Sequence, residues 1–409
     1  MRARNLIATF LSAAMAVPAG PAQAGVRQSR VVSANPVSHT PHVLDGIVNA
    51  LALVGRTVVV GGQFSTVRNA GGRTELTRQN LFAFDLVTGR IDTGFRPRTD
   101  GPVFALAAGP DGTVYAGGAF TRGLVRLHLR DGSPVRSFTA ASYGGEVSSL
   151  VRRGRHLYVG GAFTQIARAT RTALARLDAR TGAVDPAFTV TPGGGATGET
   201  KVTSMAVSRD RLVLDGSFTT LDGLPRPQLG VIDLTTGKVA DWHTDAYAAE
   251  CLAVFPSYVR GLDLSPDGSY FVVVTTGGPA PRTRKLCDTA ARFETYAKGN
   301  KIRPTWVNHT GGDSLYSVAV TGAAVYVGGH QRWLDNPYGS DTAGKGAVPR
   351  EGIGAIHPIT GKALDWNPTR ARGIGVKAFL PVKKGLLVGS DTTRLGREYH
   401  ARIGMFPMP

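Results

Sequence analysis

The strongest constraint on the fold is a short apolar strand that ends in two glycines and usually an aromatic residue. It occurs in three regular and three weaker copies: Val58–Phe64, Val114–Phe120, Leu157–Phe163, Val213–Phe218, Val325–Gln331 and Leu387–Ser390. A motif that recurs along the whole chain is the signature of a repeat architecture. A chain of 409 residues would otherwise suggest two or three domains, but a closed array of repeats can take up this length in one.

Each copy lies in a unit of four predicted strands, a to d, of which the glycine pair ends strand b. Strand a carries small and apolar residues, as in Val202–Ala206, and strand c alternates polar and apolar residues, as in Leu174–Asp178. Between strands c and d the chain reads Asp-x-x-Thr-Gly, as in Asp178–Gly182. The aspartate can accept hydrogen bonds from the turn amides, and the glycine adopts the positive φ that such a turn needs.

Counting strand a gives seven units. They begin near Val48, Val103, Val147, Val202, Gly261, Leu315 and Val376. Seven units of four antiparallel strands predict an all-β fold, a seven-bladed β-propeller that forms a single domain over residues 25–409. The last unit lacks a fourth strand before the chain ends. We expect Val31–Pro36, which resembles Trp366–Pro368, to complete that blade and remove an exposed sheet edge.

The first 24 residues have the pattern of a secretory signal peptide. Arg2 and Arg4 precede the apolar run Leu6–Ala19, and Ala22–Ala24 is a small-x-small cleavage site. No later run reaches the ~18 apolar residues of a membrane-spanning helix. The sequence therefore predicts a secreted, extracellular protein cleaved after Ala24, with no membrane span.

The chain contains two cysteines, Cys251 and Cys287. An even number of cysteines in an exported protein favours a disulfide bond. Two separate thiols are the alternative.

The motifs Gly-Gly-x-Phe and Asp-x-x-Thr-Gly together resemble those of the secreted bacterial propellers with delta-sixty repeats, a family of unknown function. The resemblance covers most of residues 26–409 and is most specific in units 1 to 4. It implies a propeller fold and an extracellular location. It supplies no catalytic residues that could be carried over to this chain.

The chain is strongly basic, with a formal net charge of +18. Its arginines are scattered over every repeat without a run of five, so specific nucleic-acid binding is not expected. The protein is expected to be a monomer. Its expected partner is an anionic cell-wall polymer, another extracellular glycan or a protein. No cofactor, metal site or catalytic residue is predicted, and Gly193–Gly198 is not a nucleotide-binding motif because no helix follows it.

Long connections are predicted to gather on one face, because strand b ends at the edge where strand a begins. The insertions are Ser65–Gln79, Thr189–Thr200, His243–Ser257, Gly277–Ala290 and Gln331–Glu351. Long loops on a rigid scaffold are where binding usually occurs. The alternative is that they are tolerated surface elaborations.

The repeat rule fails in units 5 to 7, where the aromatic residue after the glycine pair is lost. Local violations of a consistent pattern indicate functional positions. The predicted ligand-binding residues are His330, Gln331, Arg332, Trp333, Asp335, Asn336 and Asp391, approached by His309, Asp313, Arg397 and His400. The alternative is sequence drift, with hydrogen bonds between loops replacing the aromatic side chain.

The composition of this group suits a sugar-like ligand, which would stack on Trp333 and bind Arg332. A cation–π contact that only braces the loop is the alternative. We expect a non-catalytic binding protein. The second hypothesis is a lyase or hydrolase for a sugar-like or anionic substrate, in which His330 or His400 is the acid/base and Arg332 holds the substrate's charge.

Overall fold

The computed structural model describes residues 25–195, 198–279 and 285–409, in which every regular element is a β-strand. The predicted signal peptide, residues 1–24, lies outside the described residues. Within the described ranges, no helix is long and apolar enough to cross a membrane.

The main elements are seven antiparallel sheets in which strands a, b and c are neighbours in that order. Their strands are: sheet 1, Ile47–Val54, Thr57–Gln63 and Leu81–Asp85; sheet 2, Val103–Ala108, Thr113–Gly118 and Leu124–His128; sheet 3, Val147–Arg153, His156–Gly161 and Leu174–Asp178; sheet 4, Val202–Val207, Arg211–Gly216, Leu229–Asp233 and Lys238–Val239; sheet 5, Val259–Leu264, Tyr270–Thr275, Thr289–Glu294 and Trp306–His309; sheet 6, Leu315–Val320, Val325–Gly329 and Ile353–Ile356; sheet 7, Ala378–Val382, Gly385–Gly389 and Ile403–Pro407.

A fourth strand pairs only in sheets 4 and 5. In sheets 1, 2, 3 and 6 it is reduced to one bridge, such as Leu127 to Pro134. The reason is local. Pro134 has no N–H to extend a ladder, and in sheet 3 the carboxylate of Asp185 accepts the N–H of Ala187 and turns the chain away. The expected four-stranded blades are therefore observed as sheets of three or four strands.

Consecutive sheets pack against each other through separate apolar cores. Each of seven buried clusters joins two sheets that follow one another, and one of them joins sheet 7 to sheet 1 through residues such as Val48, Val58 and Leu387. Strand a of each sheet contacts strand a of the next, and strand a of sheet 7 contacts that of sheet 1. The seven sheets thus contact one another in a closed cycle, from sheet 1 through sheet 7 and back to sheet 1.

The glycine pair has two steric reasons. A Cβ atom on the first glycine would meet the valine at the start of the next sheet, at 2.7 Å for Gly61 and Val103 and at 2.5 Å for Gly389 and Val48. A Cβ atom on the second glycine would overlap the backbone carbonyl beside strand a of the same sheet, as at Gly62. The first glycine is therefore required by a valine side chain of the next sheet, and the second by the close approach of the backbone of its own sheet.

The segment before sheet 1 lies along the free edge of strand Ile403–Pro407. The N–H of Ser33 donates to Pro407 O at 2.8 Å and that of Val37 to Met405 O at 2.9 Å, in the antiparallel sense. No strand is formed over residues 31–36, because Pro36 cannot donate to a ladder. Trp366 Nε1 also donates to Ser33 O at 3.1 Å, which anchors the segment.

The connections b–c and d–a leave the same edge of the sheets, here called the loop face, and form five small sheets there. Their strands are His42–Val43, Thr66–Arg68 and Glu75–Thr77; Ser142–Tyr143, Gln165–Ile166 and Ala169–Thr170; Pro192–Gly193, Thr220–Leu221 and Leu224–Pro225; Trp333–Leu334 and Val348–Pro349; Arg394–Leu395 and Glu398–Tyr399. At the opposite edge the predicted Asp-x-x-Thr-Gly turns are confirmed. The carboxylate of Asp178, for example, accepts the N–H groups of Arg180 and Thr181, both at 2.9 Å.

Candidate functional site

Gln331 occupies the position that phenylalanine holds in sheets 1 to 4. Leu315 pairs with Gly329 as Val48 pairs with Gly62, so two residues later Gln331 corresponds to Phe64. Its side chain is fully buried, and neither amide atom has a hydrogen-bond partner. The exchange therefore places a polar group in the interior of the loop face rather than at a surface. An unpaired buried amide costs stability and needs a reason.

Asp313 is the centre of the polar group in sheet 6. Its side chain is 2% exposed and accepts the backbone N–H of Arg332 at 3.0 Å, Arg332 Nε at 2.8 Å, and Arg332 Nη2 at 3.0 Å. Arg372 Nη2 donates to the same carboxylate at 2.7 Å. The hydrogen bonds to Asp313 raise the pKa of Arg332. The Arg332 guanidinium also lies 4.4 Å from the ring centre of Trp333, so its polar atoms are committed within the loop.

Asp335 and Asn336 organise the same loop. The Asp335 carboxylate accepts Asn308 Nδ2 at 2.6 Å and the N–H of Ala363 at 3.1 Å. Asn336 is fully buried, and its Nδ2 donates to the carbonyls of Thr310 and Thr342, both at 3.0 Å. Both side chains have the bracing contacts that the alternative interpretation predicts for loops without the phenylalanine.

Asp391 has a comparable position in sheet 7. It accepts the N–H groups of Ile374 at 2.6 Å and Gly375 at 3.0 Å, and it lies 3.5 Å from Arg370 Nη1. Arg370 is a residue that the sequence reasoning missed. Its side chain is fully buried and donates to Gly329 O at 3.1 Å, and burial lowers its pKa to about 10. Its only sequence signal is an arginine shortly before strand a, which is unspecific in so basic a chain.

The remaining candidates are dispersed. The half-buried His330 ring contacts Tyr316 edge-on, with centres 5.6 Å apart, whereas His400 is buried beside Thr40, 3.4 Å from its hydroxyl. Arg397 is exposed, and His309 ends strand d of sheet 5, where burial lowers its pKa. Within the described part of the chain, no hydrogen bond or ion pair joins His330, Asp391 and His400. The acid/base arrangement of the enzyme hypothesis is not assembled.

A second group missed from the sequence surrounds the common axis at the loop face. In six sheets the register of strands a and b shifts by one residue near the end of strand b, which leaves one unpaired residue in strand a. Lys377 is the equivalent residue just before strand a of sheet 7. The seven, here called the axial residues, are Asn49, Phe104, Ser148, Thr203, Arg260, Tyr316 and Lys377. The signal for them is a repeated large-apolar-x-small triplet, as in Val259–Gly261.

The predicted disulfide is confirmed: Cys251 and Cys287 are bonded, with Cα atoms 5.8 Å apart. It joins the d–a connection before sheet 5 to the b–c connection of that sheet. Among the described residues, no group of three or more His, Cys, Asp or Glu side chains is arranged to hold a metal ion.

Comparisons with known proteins address the fold. Residues 156–188 match a family described as a domain of unknown function (DUF5122) beta-propeller. No curated protein matches the chain. One similar solved structure is the WD40 beta propeller domain of Doa1, with 12% identity, 93% coverage of this chain, 97% coverage of that chain and a TM-score of 0.53. Another is the computationally designed Ika8 protein, with 13% identity, 92% coverage of this chain, 100% coverage of that chain and a TM-score of 0.50. The chain thus has an all-β, propeller-like fold and resembles β-propellers of unknown function.

Proposed function

We propose that the chain is a secreted, non-catalytic β-propeller of the delta-sixty repeat type that binds an anionic extracellular glycan through its loop face. In this proposal residues 25–409 form one domain with seven blades, and the segment around Ser33 closes the last blade. The cyclic order of contacts between the sheets and the edge contacts of Ser33 and Val37 support the architecture.

The observation that carries the binding proposal is the distribution of exposed apolar side chains. Of the ten large exposed hydrophobic residues in the described ranges, seven lie in b–c or d–a connections: Tyr143, Leu224, Leu252, Val254, Tyr338, Ile374 and Tyr399. The other three lie in c–d turns on the opposite face: Val87, Tyr296 and Ile359. Exposed apolar and aromatic residues gathered on one face are typical of an interaction surface, and tyrosine rings stack well on sugars.

Charge selects the class of glycan. The chain carries a formal net charge of +18, and at the loop face Arg397 is exposed and Arg372 more than half exposed. A surface of this sign attracts polyanions and repels cationic partners. An acidic cell-wall polymer or acidic polysaccharide combines the sugar rings and the negative charge that this face would recognise.

The test is binding of the secreted protein to an array of neutral and acidic glycans and to isolated cell walls. We compare wild type with Tyr143→Ser/Tyr338→Ser. The matched control is Val87→Ser/Ile359→Ser, which changes two exposed residues of the opposite face. We expect salt-sensitive binding to acidic glycans that the tyrosine substitutions weaken about tenfold, the effect of losing ~1.4 kcal/mol, and that the control leaves unchanged.

Two results would overturn the proposal. Absence of binding to every acidic glycan excludes the partner class, and equal binding by both variants excludes the loop face. Products released from a bound glycan would replace the proposal with the enzyme hypothesis.

A further inference from the structure

Two of the axial residues are cationic, Arg260 in sheet 5 and Lys377 in sheet 7, and the axial residue of sheet 6 between them is Tyr316. They belong to consecutive sheets whose a strands touch, so they are neighbours around the axis. Lys377 Nζ lies 3.5 Å from the ring centre of Tyr316. The Tyr316 ring also contacts the His330 ring edge-on, with centres 5.6 Å apart. Tyr316 thus contacts both Lys377 and His330, and the charge of Arg260 acts on Lys377.

The two axial cations lack ion-pair partners. Neither Arg260 nor Lys377 has a carboxylate oxygen within 4.0 Å among the described residues, although both side chains are half-buried. In the same region Arg332, Arg370 and Arg372 each have one. Among the residues that the structure describes, the one acceptor of the Arg260 guanidinium is the backbone carbonyl of Val259, at 2.9 Å. Half-buried cations without a counter-ion are costly, and an anion bound between them would offset this cost.

The acidic groups near the two cations do not neutralise them. Asp391 is occupied by two backbone N–H groups and by Arg370. Asp215 and Asp288 influence Arg260, but both are fully buried. Burial raises the pKa of Asp215 well above its usual value, so this side chain favours the uncharged acid, and it raises that of Asp288 to about 7, so this carboxyl is only partly ionised at pH 7.

The two cations also repel each other. Burial is the largest cause and the charge of Arg260 the second in lowering the pKa of Lys377 to about 8, against a partial opposing effect of Asp391. A negative group between them would relieve this repulsion and hold the lysine protonated. Arginine and lysine with a tyrosine hydroxyl supply the donors that an oxyanion accepts.

We propose that Arg260, Lys377 and Tyr316 form an axial binding site for one oxyanion group, the carboxylate or phosphate of an anionic sugar. The position follows from the backbone, because Arg260 and Tyr316 each occupy the unpaired position of a bulge in strand a, and Lys377 has the equivalent position just before strand a of sheet 7. The source of the anion rests on the proposed function, whereas the site itself can be tested with small anions.

The experiment measures the affinity of the secreted protein for glucuronate and for inorganic phosphate by titration calorimetry. The variants are Arg260→Gln, Lys377→Gln and Lys377→Arg, with Lys384→Gln as a control on an exposed turn of the opposite face. We expect each glutamine substitution to weaken binding at least tenfold and the control to have no effect. Glucuronate bound more tightly than phosphate indicates a uronic acid; the reverse order indicates a phosphorylated sugar or polymer.

The pH dependence separates this role from a structural one. Wild-type affinity should fall as the pH rises from 7 to 9, because Lys377 loses its proton near pH 8 and Asp288, with a pKa of about 7, becomes fully charged. The surroundings also include Arg260, Tyr316, His330, Asp215 and Asp391. Lys377→Arg should show a smaller decline than wild type, because its guanidinium keeps its charge over this range. In the absence of ligand, Lys377→Gln should change the melting temperature little, because the repulsion from Arg260 that it removes offsets the lost cation–π contact with Tyr316.

Each outcome separates the two proposals. If acidic glycans bind but neither small anion does, or if the glutamine variants bind both anions as wild type does, the axial site is excluded and the proposed function stands. If the small anions bind through Arg260 and Lys377 but no glycan binds, the axial site stands and the proposed function fails.

Discussion

Replacing Arg332 by alanine tests whether this arginine serves a ligand or the fold. The substitution removes the Nε and Nη2 hydrogen bonds to Asp313, whose side chain is 2% exposed. The backbone N–H of residue 332 and Arg372 Nη2 remain. The buried carboxylate therefore keeps half of its donors.

The expected cost follows from these contacts. A hydrogen bond to a charged group contributes about 1.5–3 kcal/mol, but the two bonds of one guanidinium are not additive, and the Arg332 side chain is 30% exposed. We therefore expect Arg332→Ala to lower the free energy of unfolding by about 2 kcal/mol. Arg372 is 55% exposed and donates one bond, so Arg372→Ala should cost less than about 1 kcal/mol. The double variant should cost more than the sum, because Asp313 then keeps only a backbone donor.

The assay is thermal unfolding of the four proteins, where each kcal/mol corresponds to about 1–2 °C for a chain of this length. Repeating the cycle with Asp313→Asn is the control, and the effect of Arg332→Ala should shrink there because no buried charge is left unpaired. If Arg332→Ala left the melting temperature unchanged but abolished glycan binding, this result would refute the reasoning, and Arg332 would be a ligand-binding residue.

Further predictions concern closure, covalent bonding and pH. Gly389→Ala should destabilise the protein by more than about 3 kcal/mol, because the new Cβ atom would clash with Val48. Gly55 has a positive φ but open space around it, so Gly55→Ala should cost ~1 kcal/mol. Equal losses of stability in the two variants would contradict the close-approach argument. Deleting residues 25–36 should lower the melting temperature markedly, because it exposes the edge of strand Ile403–Pro407; unchanged melting would exclude closure by this segment. Reducing the Cys251–Cys287 bond, which spans 36 residues, should cost about 3–4 kcal/mol in chemical denaturation, and two thiols alkylated without reductant would disprove the bond. Burial, with smaller effects of His400 and Arg68, lowers the pKa of His42 from 6.5 to about 4. As the pH drops from about 6.5 to 4, the unfolded chain therefore protonates this histidine before the folded chain does, and the free energy of unfolding should fall. His42→Asn should lose less stability over this pH range, and equal losses in wild type and variant would contradict the argument.

Much of the fold was predictable because the residues of the repeated motif are required by local steric clashes. In sheets 1, 2, 3 and 6 strand b approaches both its own strand a and the valine of the next sheet too closely for side chains, and the two adjacent glycines mark these approaches. The aspartate and glycine of each c–d turn were equally readable, since both act within a few residues. The lengths of the outer strands were not, because Pro134 and Asp185 end pairing by details that the repeat pattern does not contain.

The candidate site was predictable only as a region. Loss of phenylalanine after the glycine pair correctly indicated where polar side chains become buried, as with Gln331. Which groups remain free for a ligand depended on partners distant in sequence, such as Arg372 for Asp313. Arg332 is bound within its own loop. Lys377 and Arg260 are unremarkable in a basic chain, yet neither has a carboxylate oxygen within 4.0 Å in the described part of the chain.

By itself the sequence determined strands a, b and c, the c–d turns and the number of repeated units, because these depend on short-range sterics and hydrogen bonds within a few residues. The tertiary structure alone decided which residues meet around the axis, since bulges in separate sheets bring together side chains that lie more than fifty residues apart. It also decided which charges are paired, because pairing depends on the distance between loops of different sheets.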